Sequence, residues 1–131
     1  MSVSPWRKPV VVVDLDGVLA TYDEWRGPLH YGLPLPGAQE AMQEMRRRGW
    51  FVVVFTTRGR NDLTATWLEA WQMPYSALNS SAHNPPGCSH KPIADVYIDD
   101  RNWESVGKPF NWKRCLARLK RVFGKGCGNE R

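Results

Sequence analysis

The sequence predicts an α/β fold, a parallel sheet covered by helices. Three observations carry this. Val10–Val13 and Trp50–Phe55 are unbroken apolar runs, the pattern of strands buried on both faces. Segments with helical spacing separate such runs, as crossover connections require. The strand-like runs also end in polar residues, at Asp14, Thr56 and Asp99, and a parallel sheet gathers strand ends on one edge. At 131 residues the chain has the length of one domain with a single core, and it is read as one domain over 1–131.

The elements follow in chain order. Met1–Pro9 is a lead-in. The four valines Val10–Val13 have the stiff χ1 of a strand. Asp14 follows where the chain should emerge, and Gly17 permits a sharp turn that brings Asp14 and Asp16 together. The connection 19–35 contains Gly27, Pro28, Gly32 and Pro34, with Trp25 and Tyr31 among them, and reads as a packed flap. Over Pro36–Arg48 the apolar spacing of Ala38, Ala41, Met42 and Met45 predicts a helix. Arg46, Arg47 and Arg48 suit its C-terminal end, and Gly49 its stop. After the strand Trp50–Phe55, Asn61 or Asp62 is expected to cap a helix with Leu63, Trp67, Leu68 and Trp71 on its core face. Tyr75–Leu78 is a short strand, Asn79–His90 a polar loop, and Ile93–Ile98 a further strand. Lys108–Phe110 is read as an edge strand, Trp112–Phe123 as a helix, and 124–131 as a frayed basic tail.

Composition bounds the function. The 42% apolar content is that of a globular chain, and the net charge of +5 favours an anionic partner. No stretch approaches the roughly 20 apolar residues of a membrane span. No signal peptide is recognised, since Arg7 and Lys8 precede the first apolar run and acids interrupt it. Cys88, Cys115 and Cys127 form no CxxC pair, which suits a reducing cytoplasm. His83, Cys88 and His90 match no standard zinc spacing.

The strand ends carry the parts of a phosphoryl-transfer site. A carboxylate that attacks phosphorus is repelled by a dianionic ester. Mg²⁺ takes oxygen ligands, often carboxylates with phosphate and water. Asp14 and Asp99 can supply carboxylates and Asp16 a backbone carbonyl. Lys91 can offset phosphate charge, and Thr56 can donate a hydrogen bond to it. Arg58 and Arg60 can grip a second phosphate or serve the surface. Arg101 is expected to pair with an acid, and Ser80, Ser81 and His83 lead toward Lys91.

The order of these parts, Asp14-Leu15-Asp16-Gly17, Thr56, Lys91 and Asp99-Asp100, resembles the four motifs of the haloacid dehalogenase-like (HAD) phosphohydrolases. The ending Lys91-Pro92-Ile93-Ala94-Asp95-Val96-Tyr97-Ile98-Asp99-Asp100-Arg101-Asn102 is similar to a small capless branch of bacteria and phages with a KxxADxxIDDRN pattern and a TxR second motif, here Thr56-Thr57-Arg58. The resemblance implies a three-layer Rossmann-like fold. It also implies a Mg²⁺-dependent phosphatase acting on phosphomonoesters through an aspartyl-phosphate. Asp14 is then the nucleophile and Asp16 the general acid/base. Thr56, Thr57, Arg58 and Lys91 form the substrate-binding set, and Asp14, Asp16 and Asp99 belong to the metal site. Asp100 either ligates the metal or supports the ligands. Val18 stands where many members have Thr, a common exchange.

Neither 19–35 nor 79–90 is long enough for a folded cap, so no separate cap domain is expected and the site should be open. An open site suits a phosphorylated small molecule, a phosphorylated nucleic-acid end, or a partner chain that covers it. Two other readings compete with this one. One is a non-catalytic phosphate- or partner-binding protein that keeps the fold. The other is a response-regulator receiver, whose acidic pair and lysine come in a different order.

Overall fold

The computed structural model describes residues 8–126, so most of the lead-in, the end of the tail and Cys127 lie outside the described residues. The chain runs β1 (Val10–Val13), α1 (Ala38–Arg47), β2 (Phe51–Val54), α2 (Asn61–Ala70), β3 (Ala77–Leu78), β4 (Val96–Ile98) and α3 (Trp112–Gly126). All strand pairs are parallel, in the order β3-β2-β1-β4. The expected α/β class, a parallel sheet flanked by helices without a cap, is what the chain adopts.

The position of β1 follows from its valines. It pairs Val10–Val13 with Phe51–Val54 on one side and Val11–Val13 with Val96–Ile98 on the other. A strand hydrogen-bonded along both edges and covered on both faces can carry four consecutive apolar residues. Val11, Val13, Val52 and Val54 join the main core, which includes Met42 and Met45 of α1, Trp67 and Leu68 of α2, and Leu119 and Phe123 of α3. Val10, Val12 and Val53 form a second cluster on the alternate strand positions. Ala94 packs against that cluster, and the His83 ring lies edge-on to Phe51 at 4.5 Å, so the β3–β4 connection helps cover this face.

Several boundaries differ from expectation. β4 begins only at Val96: the Asp95 N–H donates to the Val10 carbonyl at 2.8 Å, but the Val10 N–H goes to the Asp95 carboxylate, at 2.7 Å, and not to a backbone carbonyl of β4. α2 has Arg60 at its N-cap and no side-chain cap. Asp62 is instead paired with Arg60, and Asn61 accepts a hydrogen bond from Asn79. Trp67 is buried as expected, but Trp71 closes the helix on the exposed side. Lys108–Phe110 is not a strand. Gly107 turns the chain at φ 78°, Pro109 has no N–H for a ladder, and Phe110 packs edge-on against Trp112. Residues 124–126, expected to fray, continue α3. The three arginines ending α1 are engaged locally: Arg46 bonds the Trp50 carbonyl, and Arg47 and Arg48 both pair with Glu44.

Trp112 fixes α3 to the loop after β1. It is fully buried, and its Nε1–H donates to the Val18 carbonyl at 2.7 Å. Trp112→Phe keeps most of the apolar contact but leaves that buried carbonyl without its donor. The expected loss is about 1–3 kcal/mol of unfolding free energy in a urea titration. An unchanged midpoint would show that the bond contributes nothing.

Candidate active site

Asp14 continues the β1 ladder, its N–H donating to the Ile98 carbonyl at 3.0 Å. The next residues turn tightly: the N–H groups of Val18, Leu19 and Ala20 all reach the Leu15 carbonyl, at 2.8–3.2 Å. Gly17 sits in this turn at φ 85°, and a Cβ there would lie 2.2 Å from Asp100 Oδ2. Glycine is therefore required twice, for the backbone angle and for the approach of Asp100.

That approach completes an acidic cluster. Asp14, Asp99 and Asp100 each offer a carboxylate oxygen, and these oxygens lie within 4.8 Å of one another. Asp14 Oδ1 accepts the Leu15 N–H at 2.8 Å, and Asp99 Oδ1 accepts the Arg101 N–H at 2.8 Å. Asp100 Oδ1 is buried without a hydrogen-bond partner. Burial, reinforced by the charges of Asp99, Asp100 and Asp16 and opposed by the Leu15 N–H, pushes the Asp14 carboxyl up to about 7. Burial first, then the neighbouring Asp99, raises Asp100 as well. Three crowded carboxylates, one with an orphaned buried oxygen, fit a hard divalent cation such as Mg²⁺.

Asp16 stands apart from this cluster. Its two oxygens take Arg58 Nε at 2.9 Å and Nη2 at 3.0 Å. The Arg58 side chain is only 5% exposed. Burial alone would lower its pKa, but the Asp16 carboxylate outweighs that and holds the guanidinium charged. Arg58 also bonds the His30 carbonyl at 2.8 Å and packs against the Tyr31 and Trp25 rings, at 4.0 and 5.2 Å. Arg58, expected to grip substrate or serve the surface, is buried instead, and its donors reach Asp16 and the 19–35 connection. The Asp16 carboxylate is likewise not among the clustered oxygens, which leaves its backbone carbonyl as the oxygen the sequence offered to a metal.

The cluster opens into a cleft of about 830 Å³. Asp14, Asp16, Thr56, Thr57, Lys91 and Asp99 all line it, so the structure brings these sequence-chosen residues together. Arg101 lines it too; among the described residues it makes no close ion pair, but its charge acts on the neighbouring Asp100 against the rise. Ser80, Ser81 and His83 do not line it. Two features were not foreseen. Tyr22, Trp25 and Tyr97 form aromatic walls; the first two were signalled only as aromatics within a polar connection, and Tyr97 lies on β4. Asn79, at φ 57°, bonds the Thr56 N–H at 2.7 Å and so shapes the loop after β2. An asparagine just past a short strand is a usual signal of that left-handed turn.

The sequence matches no protein-family model and no curated protein. A solved structure of a conserved protein from Bacteroides thetaiotaomicron superimposes with a TM-score of 0.70 at 26% identity, over 88% of this chain and 92% of that one. The likeness supports the α/β fold over nearly the whole length of both. A D,D-heptose 1.7-bisphosphate phosphatase from B. bronchiseptica, complexed with magnesium and phosphate, matches at 22% identity and a TM-score of 0.44, over 61% of this chain and 54% of that one.

The raised Asp14 pKa has a stability consequence. A carboxyl at 3.8 when unfolded and about 7 when folded stabilises the fold fully below the first value, and this is lost as pH rises through the second. Metal-free protein should therefore melt lower at about pH 8 than at about pH 5, and Asp14→Asn should shrink that difference. Added Mg²⁺ should raise the melting temperature more at the higher pH. A pH dependence unchanged by Asp14→Asn would contradict the assigned cause.

Proposed function

We propose that this chain is a Mg²⁺-dependent phosphatase of the haloacid dehalogenase-like type, hydrolysing phosphomonoesters through an aspartyl-phosphate on Asp14. The observation that carries the reading is the meeting of Asp14, Asp99 and Asp100 beneath a cleft that Thr56 and Lys91 also line. Asp14, Asp99 and Asp100 would hold the ion, with the Asp16 carbonyl as a further oxygen. Bound Mg²⁺ supplies positive charge against the phosphate and the carboxylates.

The chain's own groups then divide the work. An Asp14 oxygen attacks phosphorus, and the bond to the ester oxygen breaks. Asp16 gives that oxygen its proton, then takes one from the water that attacks phospho-Asp14, releasing phosphate and restoring Asp14. Thr56 and Lys91 bind the phosphoryl oxygens, with Thr57 beside them. Arg58 holds Asp16 in place through its two-pronged bond. The proposed setting is the cytoplasm, and among the described residues no helix is long and apolar enough to cross a membrane. The open cleft also leaves room for a partner chain to cover it.

One observation favours a second reading, a phosphate-binding protein without turnover: both oxygens of Asp16 are engaged by Arg58. Phosphate release from a panel of phosphomonoesters separates the two. The phosphatase reading expects release with Mg²⁺, none with chelator, and a fall in kcat by orders of magnitude in folded Asp14→Asn. Binding of phosphate without release from any ester would select the second reading.

The two roles of Asp16 separate kinetically. With nitrophenyl phosphate the leaving group departs with little acid help, while hydrolysis of phospho-Asp14 still needs a base. Asp16→Asn should give a burst of nitrophenol near one equivalent, then a slow steady state. Uniformly slow release without a burst would remove the base role.

A further inference from the structure

We propose that the cleft selects a nucleoside monophosphate, its base lying against the aromatic walls and its phosphate at the acidic end. The placement of the phosphate rests on the phosphatase reading above; the aromatic recognition stands on separate residues. Tyr22, Trp25 and Tyr97 line the cleft and remain 38%, 57% and 45% exposed. Rings of this size normally bury most of their surface, and exposed rings gathered in a cleft with charged groups mark a binding surface.

Two of the rings are braced. The Arg58 guanidinium lies 5.2 Å from the Trp25 ring centre, and Lys91 Nζ lies 5.2 Å from that of Tyr97. Arg58 is itself fixed by Asp16 and the His30 carbonyl. A ring held in this way loses little freedom when a ligand stacks on it. The Tyr97 hydroxyl is tied to the Pro92 carbonyl, which leaves the ring as the recognising surface.

Size and charge narrow the ligand. A cleft of about 830 Å³ is far larger than a phosphate needs and suits a ligand of nucleotide size. Lys91 and Arg101 on its lining complement a phosphate dianion. A sugar phosphate would use the charged and hydroxyl groups of the lining but leave the faces of Tyr22, Trp25 and Tyr97 uncovered, whereas a nucleobase offers them a flat π-face. A longer nucleic-acid strand needs cations along its path. Asp23 and Glu24 lie between Tyr22 and Trp25, both pair with Arg26, and disfavour further phosphates there.

The test measures binding of AMP and of ribose 5-phosphate to the Asp14→Asn protein with Mg²⁺ by calorimetry. AMP should bind at least about tenfold more tightly, the range expected when a base stacks on an aromatic ring. Trp25→Ala should shrink that ratio and Trp25→Phe should largely restore it. Trp103→Ala, which removes an 86% exposed tryptophan outside the cleft lining, should leave the ratio unchanged. The ratio of kcat/KM for the two esters on the unmodified chain gives the same comparison if Asp14→Asn folds poorly. Equal affinities, or a ratio indifferent to Trp25, would overturn the proposal. Tighter binding of a 5′-phosphorylated oligonucleotide than of AMP would also overturn it, in favour of a nucleic-acid end. Nitrophenyl phosphate hydrolysis is measured alongside. Its absence counts against the phosphatase reading, while the binding ratio judges the aromatic walls alone.

Discussion

Asp14, Asp99 and Asp100 repel one another, yet the fold holds their oxygens within 4.8 Å. The backbone enforces this. β1 and β4 are hydrogen-bonded neighbours with Val13 opposite Ile98, so the residues that follow each strand emerge side by side. Gly17 supplies the space into which Asp100 fits, and Trp112 anchors the adjoining turn through the Val18 carbonyl. Burial of the valines and the helix cores therefore offsets a local electrostatic cost at the strand ends. Such a cost is tolerated when the crowded groups meet a cation or a proton, and the raised Asp14 and Asp100 carboxyls are its expression in the metal-free chain.

The Arg58–Asp16 pair is the second organising contact. In a buried ion pair of this kind desolvation opposes attraction. Its value here is geometric. Arg58 joins the loop after β2 to the turn after β1 and to the 19–35 connection. Tyr31 and Trp67 add to that junction, through a hydroxyl contact with Thr64 at 2.8 Å and an indole N–H bond to the Gly32 carbonyl at 3.0 Å. A connection without regular secondary structure is thus held to α2 and to the site by specific polar bonds.

Much of this was legible in the sequence, for physical reasons that differ by element. The four valines announce a central parallel strand because few other environments accept them. The order of acids, threonine and lysine along the chain already told which residues would meet, since parallel strands deliver their ends to one edge. The burial of Arg58 was hidden because nothing local distinguishes a surface arginine from one packed against an acid 42 residues away. Trp71 was misjudged because helical spacing continues past the point where α2 stops. The short β4 was hidden because the Asp95 carboxylate, and not a backbone carbonyl, accepts the Val10 N–H. Tyr22 and Trp25 come from a connection that periodicity does not describe, and only the assembled fold joins them to Tyr97 of β4.

The most direct test of the account is to trap the intermediate on the unmodified chain. Protein turning over a phosphomonoester with Mg²⁺ is treated with borohydride, which reduces an acyl phosphate to an alcohol, and its peptides are mapped by mass. The account predicts conversion of Asp14, and of no other carboxylate, to homoserine, and only when substrate and Mg²⁺ are both present. Substrate turnover with Asp14 unreduced, or reduction at a different aspartate, would contradict it.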